Sequence, residues 1–460
     1  MHIVVGKMWA IVGPLPPGPT LRSMVAVLSY QPANDKEQMV TLLHHHRDNL
    51  WKFPAGLLDR VVAALDTAGV AYKLNIDETP VEPVEMSMAP FPIRPYQSSA
   101  VLAVVRGARP GGILQAATGA GKTVMAAKII QLMRTRTLFC VHTKDLLAQA
   151  RREFSRFLGI EVGQIGGGKD DIRPVTVATF QTLTKGRHDD YLKTVQLAIF
   201  DECHHVAAPT VFSVRGRLVA APFVVGLSAS PWRDDGHDMM IEAACGSVKY
   251  RITASDLIDQ GFLVPPDIVV YRRQIPPDLR RLDAGIQKYG QAYRAIVVDD
   301  PARNQFVASL AAAQLAQDRR VLVLVKQIDH GTALETLIPG SVFVEGSDSA
   351  SVRQAAFDNF RAGNVRCLIG TSLCDEGVDL PAADALILAG AGASSTRALQ
   401  RIGRVIRSSP GKTGAYVADI VDEHPVFRRQ FYTRNRIYRT EPRFAVREVS
   451  VGLDGRVAAV

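Results

Sequence analysis

Long hydrophobic runs are missing from this chain of 460 residues. Nothing approaches the roughly 18 consecutive apolar residues that cross a bilayer. The N-terminus reads as a poor signal peptide, because Lys7 interrupts the first apolar patch and Pro14 to Pro19 follow it. The reading is therefore a cytoplasmic protein with no membrane partner. Cysteine is scarce: Cys140, Cys203, Cys245, Cys367 and Cys374 make an odd set with no C-x-x-C pair. That argues against a disulfide framework or a zinc site, and it fits a reducing compartment. The run His44-His45-His46 has no second cluster at ligand spacing and reads as a solvated polar turn. Aromatics are sparse at 7%. There is no fixed-period repeat and no low-complexity tract.

What is present is ordinary in bulk and uneven in detail. Apolar content of 47% and charged content of 22% suit a soluble globular protein, and the length allows two to four domains. The formal net charge is +9. Residues 1–90 carry seven Lys/Arg against nine Asp/Glu, a balance of −2, so the remainder carries +11. A basic body favours a polyanion, since Lys and Arg replace counterions on phosphates. The competing explanation is simple solubility charge.

The pattern of apolar runs changes along the chain. The first segment has strand-like pieces near Ile3–Val5, Trp9–Val12 and Met24–Ser29. A helical stripe follows, with Leu57, Leu58, Val61, Val62 and Leu65, and then a strand near Ala71–Leu74. Residues 77–95, rich in Pro and Glu, read as a linker. From Arg94 onward short buried strands alternate with helices. Strands are expected at Gly112–Leu114, Thr137–Val141, Val175–Ala178, Leu197–Phe200 and Phe223–Leu227. After Pro265-Pro266 the alternation resumes, with strands at Val321–Val325, Val342–Glu345, Cys367–Ile369, Ala385–Leu388 and Ala415–Ile420. Such alternation gives parallel sheets covered on both faces. The expected fold is α/β: a small α+β domain at 1–85, two parallel-sheet domains at 86–262 and 263–422, and a basic helix and tail at 423–460.

The strongest local signal is Ala116-Ala117-Thr118-Gly119-Ala120-Gly121-Lys122-Thr123, between a strand and a helix. This is the setting of a P-loop, loosened only by Ala at its first position. Glycines let backbone N–H groups approach phosphate oxygens, and the helix N-terminus adds positive potential. Lys122 would meet the β- and γ-phosphates of ATP, and the Thr123 hydroxyl would hold Mg²⁺. About 80 residues later Leu197-Ala198-Ile199-Phe200-Asp201-Glu202 brings two carboxylates to a strand end. Asp201 would complete the Mg²⁺ shell, and Glu202 would orient or deprotonate the attacking water.

Asp201-Glu202-Cys203-His204 resembles the DECH form of motif II of superfamily 2 helicases, and other motifs follow in that family's order. Arg94-Pro95-Tyr96-Gln97 resembles the adenine-reading element, which implies nucleotide contacts for Arg94 and Gln97. His142-Thr143-Lys144-Asp145 resembles motif Ia, Ala178-Thr179-Phe180-Gln181 motif Ic, and Ser228-Ala229-Ser230-Pro231 motif III. Ile369-Gly370-Thr371 through Gly377-Val378-Asp379-Leu380-Pro381 resembles motif V, with Gly377 and Asp379 on the nucleotide. Gln400-Arg401-Ile402-Gly403-Arg404-Val405-Ile406-Arg407 resembles motif VI. The resemblance covers about residues 90–420. It implies two RecA-like lobes in tandem, with ATP and Mg²⁺ in the first. Gln400, Arg404 and Arg407 of the second would act as catalytic groups on the transferring phosphoryl. Arg404 and Arg407 are three apart and are expected on one helical face. Arginine fingers of this kind are worth about 10³–10⁵ in rate.

The same resemblance puts Thr143, Lys144, Thr179 and Thr371 on the phosphates of one nucleic-acid strand. Each threonine could equally be a helix cap. Beyond motif VI, residues 428–439 hold five Arg, no acids and interleaved aromatics. This segment can grip nucleic acid or can be a final helix packing Phe431 and Tyr438 inward. The motif variants are similar to the UvsW, XPB and restriction-subunit branch, which implies a DNA helicase acting on branched duplexes in recombination or repair, cellular or phage-encoded. A monomer without an obligatory protein partner is expected. The rivals are an RNA helicase or sensor of the DECH-box branch, and an ATP-gated clamp that holds nucleic acid without unwinding it.

Overall fold

The computed structural model describes residues 1–33, 35, 37–77, 81, 83–106, 111–230, 235–280, 289–371, 383–390, 392 and 395–458. Two compact units divide the chain, Met1–Ile252 and Thr253–Val460.

The first unit opens with a five-stranded sheet built from His2–Val5, Trp9–Gly13, His44–Arg47, Leu50–Pro54 and Lys73–Ile76. Helices Pro19–Val27 and Leu58–Thr67 cover it. The segment Met24–Ser29, expected as a strand, falls mostly in the first of these helices. Its run of Val25, Val27 and Leu28 favours a strand locally. Tertiary packing decides otherwise: Met24 and Leu28 are buried in this domain's core beside Leu21. Pro19 fits the first helical turn, where its missing N–H is not needed. His44-His45-His46, expected as a turn, instead belong to an edge strand, His44–Arg47, whose four side chains are all exposed. Its pairing with Leu50–Pro54 requires the left-handed Asp48 and Asn49 at the hairpin tip.

This small domain shares its core with the rest of the first unit. Met239 and Ala243 of helix Asp238–Cys245 pack into it, and Arg60 pairs with Glu242 at 2.5 Å. The guanidinium of Arg215 donates to the Lys7 carbonyl at 2.7 Å, and Lys249 meets Asp59 at 2.8 Å. Gly56 lies so close to helix Asp238–Cys245 that a Cβ there would be 2.1 Å from the Glu242 carbonyl.

An eight-stranded sheet forms the rest of this unit. Its order is Lys169–Asp171, Gly163–Gly166, Val175–Thr179, Thr137–Val141, Leu197–Asp201, Phe223–Ser228, Gly112–Ala116 and Val248–Ile252. All neighbours are parallel except the first pair. Strands Thr137–Val141 and Val175–Thr179 are buried along their whole length, which a parallel sheet covered on both faces demands.

The second unit repeats the theme. Its sheet runs Ser341–Val344, Cys367–Gly370, Val321–Leu324, Ala385–Leu388, Ala415–Asp422, Pro266–Arg273, Ala445–Val451 and Val457–Ala458. Only the last pair is antiparallel. Residues 445–458 thus extend this sheet. Helix Ala254–Asp259 belongs to the same unit, its Ser255 N–H and hydroxyl donating to Glu441 at 2.9 and 2.7 Å. Buried charge sits at the strand ends: Asp422 accepts from both Arg303 and Arg273, and Asp300 takes a second bond from Arg273. Both folds are the tandem RecA-like α/β arrangement that the sequence implies.

Candidate functional site

In the first unit the C-terminal edges of five parallel strands deliver the motif residues to one rim, where ligands bind in open α/β sheets. The P-loop follows Gly112–Ala116, Thr143 follows Thr137–Val141, and Thr179 ends Val175–Thr179. Asp201 ends Leu197–Asp201, and Ser228 ends Phe223–Ser228.

The P-loop turns on two left-handed glycines, Gly119 with φ 90° and Gly121 with φ 79°. Gly121 also caps helix Lys122–Met133, and a Cβ at that position would stand 2.5 Å from the Gln97 amide nitrogen. The upstream element therefore braces the loop directly. The Gln97 side chain and the Tyr96 hydroxyl both donate to the Ala120 carbonyl at 2.9 Å, while the Gln97 oxygen accepts from the Arg94 N–H at 2.9 Å. Gln97 is 4% exposed with both ends of its amide engaged. Thr118, Gly119, Gly121, Lys122 and Thr123 are partly exposed on the rim, and Ala120 is buried beneath them.

Lys122 leans across this rim. Its ammonium is 3.6 Å from a Glu202 carboxylate oxygen and 3.4 Å from the Ala116 carbonyl. Glu202 holds a left-handed backbone, φ 45° and ψ 58°, which for a non-glycine residue costs about 1–3 kcal/mol and marks a position held for a purpose. Its N–H donates to the Asp201 carboxylate at 3.1 Å. On the other side the Ser228 hydroxyl donates to Glu202 at 3.3 Å and lies 3.5 Å from His204 Nδ1. His204, His205 and His142 stack beside it, with ring centroids 4.2 and 4.5 Å apart. The Gln181 amide in turn holds the His142 carbonyl at 2.8 Å, tying motif Ic to motif Ia.

The two carboxyls are pushed apart electrically. Burial raises Asp201 to about 6, the Glu202 charge adds to the rise, and Lys122 and His142 only partly offset it. Burial pushes Glu202 the same way, but Lys122, His204, His142 and His205 outweigh it and hold Glu202 below the usual carboxylate range. A raised acid beside a lowered one separates roles: one poised to exchange its proton for a cation, the other ready to accept a proton at neutral pH. An ammonium, a helix N-terminus opened by glycines and a partly buried carboxyl with a raised pKa form a donor set that fits a polyphosphate with a divalent cation.

The remaining expected residues are placed as follows. Thr143 caps helix Lys144–Leu158, accepting from Leu146 N–H at 3.2 Å, with Lys144 exposed beside it. Thr179 is buried, its hydroxyl turned to Thr182 at 2.8 Å. In the second unit Thr371 is buried just past strand Cys367–Gly370. Gly377, Asp379 and the motif III Pro231 lie outside the described residues. Gln400 and Arg404 are buried on helix Ser395–Val405. Arg407 is not on that helix, which corrects the expectation of one shared face. The helix stops at Val405, and Arg407 forms an extended bridge with Leu263 while Ile406 accepts from Val264 N–H at 2.9 Å. A strand-like pairing thus replaces the next helical turn. Sequence reasoning missed Lys412, whose ammonium donates to the Val405 and Ala383 carbonyls and so ties off the motif VI helix. It also missed the support from His142, His205 and Tyr96, although each sits within or beside a recognised motif.

Residues 90–233 match the family profile described as "Type III restriction enzyme, res subunit", and residues 303–409 match "Helicase conserved C-terminal domain". The chain is 28% identical over 373 residues to the DNA 3'-5' translocase XPB2 of Sulfurisphaera tokodaii, covering 72% of this chain and 83% of that protein. It is 26% identical to the ATP-dependent DNA helicase uvsW of Enterobacteria phage T4, covering 83% of this chain and 82% of that protein. Other archaeal and bacterial relatives are longer, and the chain spans 56% and 58% of two of them. Among solved structures, the ATP-dependent Type ISP restriction-modification enzyme LlaBIII bound to DNA superposes with a TM-score of 0.61 at 14% identity. That match covers 86% of this chain and 36% of that one, and it speaks for the fold. With the motif set, the tandem folds and these matches together, the chain is a superfamily 2 helicase, a nucleic-acid-dependent ATPase resembling the UvsW, XPB and restriction-subunit proteins.

Proposed function

We propose that this helicase acts on DNA, translocating 3′ to 5′ and remodelling branched duplexes, with ATP and Mg²⁺ bound at the rim of the first unit. The observation that carries the ATPase half is the cluster of Lys122, Asp201, Glu202 and Ser228. Lys122 binds the β- and γ-phosphates in place of its present partner Glu202. Asp201 and Thr123 would hold the divalent cation, which would supply charge to neutralise the phosphates. Glu202 takes the proton of the attacking water, and Ser228 with His204 fixes the orientation of its carboxylate. Since Ser228 belongs to motif III, movement of that segment changes the base directly. Arg404 and Arg407 supply positive charge to the transferring phosphoryl, and Gln400 positions the water.

The choice of DNA and of direction is supported by the relatives, which are described as DNA 3'-5' translocase and DNA helicase. The branched substrate is supported by the sequence resemblance and by the small domain that shares its core with the first unit. Thr143, Lys144, Thr179 and Thr371 are proposed to lie along one strand's phosphates.

The test is steady-state ATPase rate at one fixed salt concentration with no nucleic acid, single-stranded DNA, duplex DNA, a four-way junction and duplex RNA. The greatest stimulation is expected with the junction. Stimulation greatest with RNA would overturn the DNA assignment, and equal stimulation by plain duplex and junction would reduce the function to translocation.

A further inference from the structure

Helix Pro425–Tyr438 has two unlike faces. The inner one is fixed in place. Phe427, Phe431, Arg434 and Tyr438 are buried, and Arg434 grips both oxygens of Asp419 at 3.0 and 2.8 Å. Arg434 also donates to the Gly392 carbonyl at 2.7 Å, and the Tyr438 hydroxyl donates to Asp419 at 2.9 Å. Asp419 lies within the buried strand Ala415–Asp422. A two-pronged pair of this kind fixes the rotation of a helix about its axis, so the direction of the outer face is fixed too.

That outer face presents Arg429, Tyr432, Arg436 and Arg439 at spacings of three, four and three residues, all exposed. From Pro425 to Thr440 there is no acidic residue. Arg428 is matched by Glu423 at 3.6 Å and touches the Tyr432 hydroxyl at 3.4 Å. Arg429, Arg436 and Arg439 have no carboxylate partner among the described residues. Folding accounts for the inner face alone. A solubilising surface interleaves both signs, whereas this one is a row of a single sign.

At 1.5 Å per residue the three unmatched guanidiniums span about 15 Å of helix axis. That is the length over which one strand of a duplex presents about four phosphates. A grip on single strands needs aromatic platforms for unstacked bases. On this face Tyr432 is the single exposed aromatic among the described residues, one ring where a run of bases would need several. The row therefore matches a phosphate ridge, and matches it as a rigid rod.

We propose that Arg429 and Arg436 on helix Pro425–Tyr438, with Arg439 at its C-cap, form a docking strip for the backbone of double-stranded DNA. The strip deepens the functional reading above and rests on it, by locating where the duplex outside the moving strand is held.

The test compares the full-length chain with its triple variant Arg429→Gln, Arg436→Gln, Arg439→Gln. Glutamine keeps the helix propensity and removes only charge. Binding to a fluorescent blunt duplex and to a single strand of the same length is followed by anisotropy from 50 to 200 mM salt. Each lost phosphate contact lowers the duplex salt slope by about 0.9. Three lost contacts lower it by about 2.7, so that over this range wild-type duplex affinity falls about 40-fold further than that of the variant. The single-strand slope and the nucleic-acid-free ATPase rate are expected to stay unchanged, and Arg428→Gln, already matched by Glu423, to leave the duplex slope unchanged. A duplex slope the same in wild type and triple variant, or an equal drop on single strands, overturns the strip. Loss of stimulation by every DNA in the wild type would overturn the functional reading instead, so the two failures are told apart.

Discussion

Asp201 should release a proton when the metal–nucleotide complex binds, and the amount follows from where the residue sits. Its carboxyl ends a strand whose other residues are fully buried, and burial is the largest influence on it. With its pKa raised to about 6, the fraction protonated in the free protein is about nine-tenths at pH 5, one half at pH 6 and one-tenth at pH 7. An ordinary aspartate near 3.9 would be less than one-tenth protonated at pH 5. Cation binding at Asp201 requires the deprotonated form, so binding at pH 6 should expel about half a proton from this residue. Glu202 adds nothing to the count, because Lys122 and the neighbouring imidazoles already hold it deprotonated. The assay is isothermal titration in two buffers of different ionisation heat, with nucleotide saturated by Mg²⁺ beforehand so that its own proton loss is complete. Asp201→Asn is the reference that subtracts nearby histidines. If wild type and Asp201→Asn release the same number of protons at pH 6, then either Asp201 is not raised or it is not the ligand, and the reasoning fails.

Other consequences are simpler to read. Glu202→Gln should lower DNA-stimulated turnover by about 10²–10⁴ while nucleotide affinity, followed with a fluorescent analogue, stays within a few-fold. Arg404→Ala should lower turnover without weakening nucleotide binding, and an unchanged stimulated rate would remove Arg404 from catalysis. His330 is buried against Asn304 at 3.0 Å, and burial, then Arg303, pushes its pKa down to about 3. The native protein thus keeps it neutral while the unfolded chain protonates below about 6.5, so stability falls as pH drops from 6.5 toward 3. Between pH 8 and 5.5 this residue should account for about 1.4 kcal/mol of lost stability. Urea melts of His330→Gln should show a correspondingly smaller acid loss than wild type, and equal losses would place the acid sensitivity elsewhere.

Sheet strands were legible because parallel sheets buried on both faces need continuous apolar runs, and Thr137–Val141 or Ala385–Leu388 have little else they can be. The strand Pro266–Arg273 escaped notice for the opposite reason. It begins at a proline and ends in two arginines, and only the fold supplies Asp422 and Asp300 to make a buried Arg273 tolerable. Helix Pro19–Val27 was hidden by β-branched residues whose local preference lost to packing. In each case a distant partner reversed a local signal, and no window of sequence contains that partner.

The site divides along the same line. Lys122, Asp201 and Glu202 are recognisable because phosphate and metal chemistry needs those residue types side by side in the chain. What sets their properties is not contiguous. The Glu202 carboxylate is held by Ser228, 26 residues away, and its charge is kept first by Lys122, 80 residues before it, then by His204 and His142. The C-terminal helix shows how far composition alone can lead. Five arginines in a row of twelve residues suggested one basic face, yet Arg434 is spent internally on Asp419 and Arg428 is matched by Glu423. Only after those two are removed does the spacing of Arg429, Arg436 and Arg439 emerge as a single strip. Charge count estimates how strongly a surface attracts nucleic acid, whereas the choice of which charges remain unmatched determines what shape of nucleic acid it can hold.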